Sequence, residues 1–232
     1  MNDPEIDPAW ELFGLLFQAH PWHGVSIGVD APAVVTAYIE IAPTDTVKYE
    51  IDKPSGHLKV DRPQQFSNVC PALYGFIPQT FCGERVAAFG EEHSAQHGAH
   101  GAIEGDGDPL DICVLSEKYF SHGDVLLRAV PVGGLRLIDR RQADDKIVAV
   151  LKGDAAYGHC REIGELPQAL IERLEHYFLT YKLPPGAPRN AVEITRVYGA
   201  AEAREVIGRS RDDYQALYPD LKGRFLEALR KR

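Results

Sequence analysis

The chain of 232 residues lacks the long apolar runs and the concentrations of positive charge that mark several classes of protein. An apolar stretch at residues 12–17 is too short to cross a bilayer, and the residues before it are acidic where a secretory signal is basic. The chain has 34 acidic against 25 basic side chains, and only a short C-terminal tail is markedly basic. Such a balance repels nucleic acid and anionic membranes. We therefore expect that the protein binds neither.

The chain also has few cysteines, and their spacing excludes a disulfide scaffold. The four of them form no C-x-x-C pair and are widely scattered, at Cys70, Cys82, Cys113 and Cys160. This pattern indicates reduced thiols and a cytoplasmic protein. The composition, with 44% hydrophobic and 25% charged residues, is that of an ordinary globular chain with one sizeable core.

An acidic segment at residues 104–111, with the sequence E-G-D-G-D-P-L-D, carries four carboxylates within eight residues. The glycines let the backbone turn tightly enough for Asp106, Asp108 and Asp111 to converge, and carboxylate oxygens suit Mg²⁺ or Mn²⁺. The apolar run at 112–115 predicts a buried strand that holds Asp111 in place. The alternative for an isolated segment of this kind is a solvated acidic turn.

Two familiar acidic motifs do not fit this segment. An EF-hand loop counted from Glu104 requires glycine at its sixth position and glutamate at its twelfth, but those positions hold Pro109 and Leu115. A phosphatase with an aspartyl nucleophile places its acidic pair after a hydrophobic strand, whereas here the strand follows the acids.

Alternating apolar and polar residues predict a mainly β chain. Residues 34–41 and 47–51 are predicted strands, and a P-S-G turn predicts that residues 58–62 return beside the second, with Arg62 close to Lys48. The prolines and glycine of residues 70–78 favour an irregular packed segment over a central strand. Further strands are predicted at residues 125–132, 135–138, 147–151 and 192–197.

Helical spacing of apolar residues predicts a long helix over residues 166–182, with Tyr181 and Lys182 at its last turn. Shorter helices are predicted near the N-terminus, at 200–207 and at 221–230. Residues 84–105 are poor in apolar side chains and are predicted to form a mobile surface insertion; a metal site at its histidines, His93, His97 and His100, is the alternative. The H-P-W-H-G sequence at 20–24 predicts a loop without a chemical role.

The polar residues near the ends of these elements form two groups with opposite character. The acidic group comprises Asp106, Asp108, Asp111, Asp139 and Asp144. The other group comprises Lys48, Arg62, Lys146, Lys182, Tyr74 and Tyr181. A protein that acts on a polyanion needs both, because cations held by the acids neutralise phosphate oxygens while Lys, Arg and Tyr bind the remaining ones.

Seven segments in order, spread over residues 34–207, give the chain a specific resemblance. They are I-E-I-A-P around Glu40, V-K-Y-E-I-D-K from Val47, V-D-R ending at Arg62, Y-G-F-I-P from Tyr74, D-G-D-P-L-D from Asp106, D-x-x-x-x-D-x-K from Asp139 and H-Y-F-L-T-Y-K ending at Lys182. In these segments the chain resembles the soluble family I inorganic pyrophosphatases. Cys70 stands where many relatives have tyrosine, and Leu73 replaces a common asparagine.

The resemblance implies an α+β, mainly β fold: a five-stranded, OB-like closed β-barrel flanked by helices. It implies Mg²⁺-dependent hydrolysis of diphosphate to two phosphates, with other divalent cations as possible substitutes. The expected domains are an extension over 1–33, the barrel over 34–208 with the 84–105 insertion, and a C-terminal helical extension over 209–232. The family implies a homo-oligomer, either a dimer or a hexamer.

The resemblance also assigns roles to single residues. Asp108 is the expected general base for the attacking water. The expected metal ligands are Asp106, Asp111, Asp139 and Asp144. The expected substrate-binding residues are Lys48, Arg62, Tyr74, Lys146, Tyr181 and Lys182, and Glu40 and Glu50 are expected to orient metal-bound waters from an outer shell. Two alternatives remain, namely a hydrolase of another polyphosphate or nucleotide and a nucleic-acid-binding OB-like module.

Overall fold

The structure is a computed structural model that describes residues 19–64, 68–94, 103–183 and 192–220, together with the single positions 223 and 227. The predicted N-terminal helix, His97, His100 and nearly all of the predicted 221–230 helix lie outside these residues. The described helices are α1 (Glu84–Ser94), α2 (Gln168–Thr180) and α3 (Ala200–Leu217). The strands are β1 (Val35–Ile41), β2 (Val47–Ile51), β3 (Leu58–Pro63), β4 (Leu73–Phe76), β5 (Glu104–Gly105), β6 (Asp111–Leu115), β7 (Val125–Asp139), β8 (Gln142–Ala143), β9 (Lys146–Leu151) and β10 (Val192–Gly199).

Five strands form a closed ring in which each member pairs with two others. β1 pairs with β4, β4 with β6, β6 with β9, β9 with β7, and β7 again with β1. Only the pairing of β6 with β9 is parallel in this ring. β10 pairs with β7, and β2 and β3 form a separate two-stranded sheet, the β2–β3 hairpin. The fold is mainly β, with three helices in the described part of the chain.

None of these helices is long and apolar enough to span a membrane.

Most predicted elements are confirmed. The hairpin forms as expected, with Lys48 opposite Arg62 in its register. The long helix is confirmed and is two residues shorter at each end than predicted, and the helix predicted at 200–207 continues to Leu217. The two strands predicted at 125–132 and 135–138 are one strand, β7, because a shift in register between Pro131 and Gly133 lets it continue across the irregular sequence.

The prediction of an irregular segment at residues 70–78 was wrong. Leu73–Phe76 forms β4, which is fully buried and pairs with β1 on one side and β6 on the other. Pro71 and Pro78 misled the prediction, but both lie outside the four residues of the strand, where they leave its hydrogen bonds intact.

The prediction of a mobile surface insertion was wrong for the first half of residues 84–105. Residues 84–94 form α1, which buries Val86, Ala87 and Phe89 in the core. His93 bonds within this helix, its Nδ1 lying 2.9 Å from the carbonyl oxygen of Phe89. Three apolar side chains on one face were enough to dock the helix, although the segment as a whole is polar.

The two faces of the ring pack into two apolar clusters. On β6, Ile112 and Val114 join the cluster that includes residues of α1 and α3, while Cys113 and Leu115 join the cluster that includes α2. Both faces of this strand are therefore buried, as expected for a strand with no polar alternation. The packing fixes the position of Asp111 at the start of β6.

We expect Asp213 on α3 to be a large contributor to stability, because it caps the start of α1. Its buried carboxylate accepts hydrogen bonds from the backbone N–H groups of Gly83 (3.2 Å), Arg85 (3.0 Å) and Val86 (3.2 Å). Asp213→Ala leaves these donors without their acceptor and should lower the free energy of unfolding by about 2 to 3 kcal/mol, measured by urea denaturation.

Asp212→Ala is the matched control for this change. Asp212 is the neighbouring residue, its side chain is 52% exposed, and its ion pair with Arg211 spans 3.7 Å. Its loss should change the free energy of unfolding by less than about 0.5 kcal/mol. Equal unfolding midpoints for the two variants would contradict the capping role.

Candidate active site

One cavity of about 250 Å³ collects every residue that the sequence analysis selected. Elements from across the chain contribute to it, including the β2–β3 hairpin, β4, the acidic segment, the connection from β7 to β9 and the end of α2. The predicted residues that line it are Glu40, Lys48, Glu50, Arg62, Tyr74, Asp106, Asp108, Asp111, Asp139, Asp144, Lys146, Tyr181 and Lys182. The structure thus places acids and cations around one space.

The acidic segment turns tightly, as its glycines predicted. Gly107 has a φ of +76°, which favours glycine, and this conformation lets the Asp108 N–H donate to Oδ1 of Asp106 over 2.9 Å. The backbone of Cys82 holds the turn from outside, since its N–H donates to the carbonyl of Asp108 and its carbonyl accepts from Gly107. The segment is therefore a fixed wall of the cavity.

Crowding of buried carboxylates changes their acidity. Burial, reinforced by the nearby charge of Asp144, raises the pKa of Asp106 to about 8. Burial also raises the pKa of Asp111, although the ammonium of Lys146 opposes this rise. Both carboxyl groups therefore lose their protons less readily, and a cation bound beside them would favour their charged forms.

Lys146 lies among these acids because of strand register. β6 and β9 place Asp111 beside Lys146 at the starts of the two strands, and the buried ammonium contacts the carboxylates of both Asp111 and Asp144. Burial disfavours its charge, but the two carboxylates outweigh burial and raise the pKa of Lys146 well above its usual range. Tyr74 completes the group by donating its hydroxyl to Asp111 over 2.5 Å.

Cations and a phenol also line the cavity. Lys48 and Arg62 on the hairpin both contact Asp61, at 3.0 and 2.6 Å. The guanidinium of Arg62 lies 5.6 Å from the ring centroid of Tyr181. At the end of α2, Lys182 pairs with Asp139 at 2.7 Å. These charges line the same cavity as the acidic segment.

Glu40 connects the hairpin to the ring. Its side chain is buried, and Oε1 accepts a hydrogen bond of 2.6 Å from the backbone N–H of Ile51. Burial is the main cause that raises the pKa of Glu40 to about 8, and the nearby carboxylate of Asp111 adds to it.

The donor set of the acidic wall suits a hard divalent cation. Asp106, Asp111, Asp139 and Asp144 offer only oxygen ligands, and burial of the first two favours a compensating charge. Within the described residues, no three His, Cys, Asp or Glu side chains already form a group that could hold a metal ion. The ammonium of Lys146 contacts two of the four acids and supplies part of the compensating charge.

The sequence analysis missed two polar residues of the cavity, Lys53 and Gln142. Lys53 lies in the V-K-Y-E-I-D-K segment, but it follows the end of β2. The alternation of side chains along a strand therefore does not predict where the Lys53 side chain points. Gln142 lies between Asp139 and Asp144, and its position between two predicted site residues could have indicated that it lines the cavity. Cys70, the departure from the family pattern, is buried in the core and does not line the cavity.

Comparisons with known proteins agree on one family. A family model described as inorganic pyrophosphatase matches residues 37–215. The chain is 48% identical over 204 residues to a protein named inorganic pyrophosphatase from Chlamydia trachomatis serovar L2, covering 86% of this chain and 96% of that protein. It is 36% identical over 213 residues to a soluble inorganic pyrophosphatase from Oryza sativa subsp. indica, covering 92% of this chain and 84% of that protein.

A solved structure supports the same relationship. The crystal structure of inorganic pyrophosphatase from Thermus thermophilus is similar to this fold with a TM-score of 0.69 and 29% sequence identity. The similarity covers 85% of this chain and 99% of that one.

Proposed function

The chain belongs to the inorganic pyrophosphatase family and hydrolyses diphosphate, and we propose that its cavity divides this reaction between a group of carboxylates, the acidic wall, and a group of cations. The observation that carries the proposal is that five aspartates and the cations Lys48, Arg62 and Lys182 line one cavity. A diphosphate ion fits this arrangement because its many oxygens need both metal and ammonium or guanidinium partners.

Asp106, Asp111, Asp139 and Asp144 would hold divalent cations, of which we propose Mg²⁺ as the physiological one. Bound Mg²⁺ supplies positive charge for the phosphoryl oxygens and lowers the pKa of the attacking water. Glu40 and Glu50 would orient water molecules around the cations from the second shell. Mn²⁺, which also prefers oxygen ligands, would substitute.

Asp108 acts as the general base in this proposal. As the water oxygen forms a bond to one phosphorus, its proton passes to the Asp108 carboxylate, and the bridging P–O bond breaks to release the second phosphate. Lys48, Arg62, Lys146 and Lys182 bind phosphoryl oxygens as cations, and the hydroxyls of Tyr74 and Tyr181 donate hydrogen bonds to them. The side chain of Asp108 is 43% exposed, so that water can reach it.

We further propose that the five-stranded ring is the OB-like barrel that the resemblance implies, since its strands close on themselves through β1 and β7. The protein is proposed to act in the cytoplasm, where its four unpaired, buried cysteines stay reduced. It is proposed to form a homo-oligomer of two or six copies and to bind neither membranes nor nucleic acid.

A substrate panel tests the proposed function. With Mg²⁺ in every reaction, phosphate release from diphosphate should exceed that from triphosphate or ATP by about tenfold or more, because a longer substrate brings charged groups without matched partners in this cavity. The measurement is initial phosphate release for each substrate under the same conditions. Faster release from a nucleoside triphosphate would favour the nucleotide hydrolase. Tight binding of single-stranded DNA in low salt without divalent cations would favour the binding module.

A further inference from the structure

Lys53 and the H-P-W-H-G loop at residues 20–24 have no role in the reaction as described so far. Lys53 follows β2 and reaches the cavity, where its ammonium forms an ion pair with Oδ1 of Asp108. Within the part of the chain that the structure describes, Lys53 donates the only side-chain hydrogen bond that the Asp108 carboxylate accepts. The expected general base therefore has one side-chain partner.

The 20–24 loop holds the backbone of Lys53 through His20. Nε2 of His20 lies 2.8 Å from the carbonyl oxygen of Lys53, and because a carbonyl only accepts, Nε2 carries the proton. Nδ1 then accepts from the N–H groups of Trp22 (3.2 Å) and His23 (3.4 Å). A single neutral tautomer satisfies all of these contacts, so the imidazole joins its own loop to Lys53.

Trp22 in the same loop contacts both Lys53 and the support of the acidic segment. The Lys53 ammonium lies 5.9 Å from the Trp22 ring centroid, a cation–π distance. The indole is buried and donates from Nε1 to the carbonyl of Thr80 over 2.8 Å. The hydroxyl of Thr80 accepts from the N–H of Leu110 over 2.9 Å, within the acidic segment. The loop is thus connected to both partners of the Lys53–Asp108 pair.

The turn that carries Lys53 also fits closely against the loop. Gly56 has a φ of +74°, and a Cβ at this position would lie 2.9 Å from the His20 ring. Both the conformation and the close approach require glycine. This packing and the bond from His20 hold the backbone of the turn that carries Lys53, whose side chain is 45% exposed.

We propose that Lys53 is a positioning residue for Asp108 in diphosphate hydrolysis and that the 20–24 loop fixes Lys53 in place. This inference rests on the proposed role of Asp108. An exposed carboxylate on a turn has several rotamers, and an ammonium held against Oδ1 selects one and leaves Oδ2 as the proton acceptor. Lys53 thereby acts on the rate of the chemical step and leaves substrate affinity unchanged.

Lys53→Met should lower kcat by about tenfold, with the KM for diphosphate and the Mg²⁺ requirement changed by less than about twofold. Lys53→Arg, which keeps a cation, should recover part of the loss. Lys59→Met is the matched control, because Lys59 is a nearby lysine, 52% exposed and paired with Asp52, that does not line the cavity. Thermal unfolding and calorimetric Mg²⁺ affinity should be the same for all variants and wild type.

Two further measurements separate positioning from a general loss of charge. Alkylation of Lys53→Cys with 2-bromoethylamine rebuilds an ammonium at this place and should restore kcat, and the four native cysteines are buried from the reagent. His20→Ala should lower kcat in the wild-type background but have no added effect in Lys53→Met, because the imidazole acts through Lys53.

The outcomes that overturn the inference are distinct. Unchanged kcat in Lys53→Met would show that the ion pair has no role in the reaction. A rise in KM with unchanged kcat would show that Lys53 binds substrate instead, and additive effects of His20→Ala and Lys53→Met would exclude the loop. Wild-type protein without diphosphate hydrolysis would overturn the proposed function itself, and this inference with it.

Discussion

Asp108→Asn is expected to lower the turnover number for diphosphate by about two to four orders of magnitude. Asparagine keeps the shape of the side chain and one oxygen that Lys53 can contact, but it cannot accept the proton of the attacking water. Mg²⁺ affinity should change little, because Asp108 is not among the proposed metal ligands. The measurement is kcat over a full Mg²⁺ titration, so that the rate is compared at saturating cation.

Asp111→Asn is the matched comparison, three residues away on the same segment. Asp111 is a proposed metal ligand, so this change should raise the Mg²⁺ concentration needed for activity by about 10- to 100-fold, with partial recovery in excess Mg²⁺. If added Mg²⁺ restores Asp108→Asn and not Asp111→Asn, the two assignments must be exchanged. If neither variant loses activity, residues 104–111 are an acidic turn and the proposed site is wrong.

Removal of divalent cations is expected to abolish diphosphate hydrolysis, with activity returning when Mg²⁺ is added back. The physical reason is the acidic wall, where burial raises the pKa values of Asp106 and Asp111 and where the substrate brings more negative charge. A raised pKa favours the neutral carboxyl when no cation is bound, so the cavity then lacks both charged oxygen ligands and the positive charge that diphosphate needs. The measurement is phosphate release in excess chelator and after restoration of the cation.

Calcium serves as the control for charge alone. Ca²⁺ carries the same charge as Mg²⁺ but adopts looser coordination, so we expect it to bind the acidic wall and to support much less hydrolysis. Full activity in excess chelator would exclude a metal-dependent mechanism. Equal activity with both cations would show that charge, and not coordination geometry, is what the site requires.

The sequence predicted the strands and the members of the cavity better than the details of packing. Period-two alternation specified the β2–β3 hairpin, and the pairing of Lys48 with Arg62 followed from its turn. The acidic segment could be identified because four carboxylates close in sequence repel one another unless a cation binds among them. The assignment of separate roles to Asp108 and Asp111 came from the family resemblance, since spacing alone does not distinguish a base from a ligand.

The features that the sequence did not predict depend on contacts between distant parts of the chain. α1 forms because Asp213, more than a hundred residues away, caps it and because α3 covers its short apolar face. Lys53, which pairs with Asp108, contacts His20 through its carbonyl and Trp22 through its ammonium. No pattern in the local sequence predicts such contacts. The prolines beside β4 favoured an irregular segment, but pairing with β1 and β6 makes these residues a strand.

The β2–β3 hairpin forms its own sheet, separate from the described strands of the ring, yet it and the turn between its strands carry Lys48, Lys53 and Arg62. It is held to the ring by the bond from the Ile51 N–H to the Glu40 side chain and by burial of Ile51 in a cluster with Tyr38 and Phe76. The charged side chains of the hairpin therefore lie on a unit that takes no part in the backbone pairing of the described ring strands. Because these three cations belong to one hairpin, a shift of the hairpin relative to the ring would move all of them together.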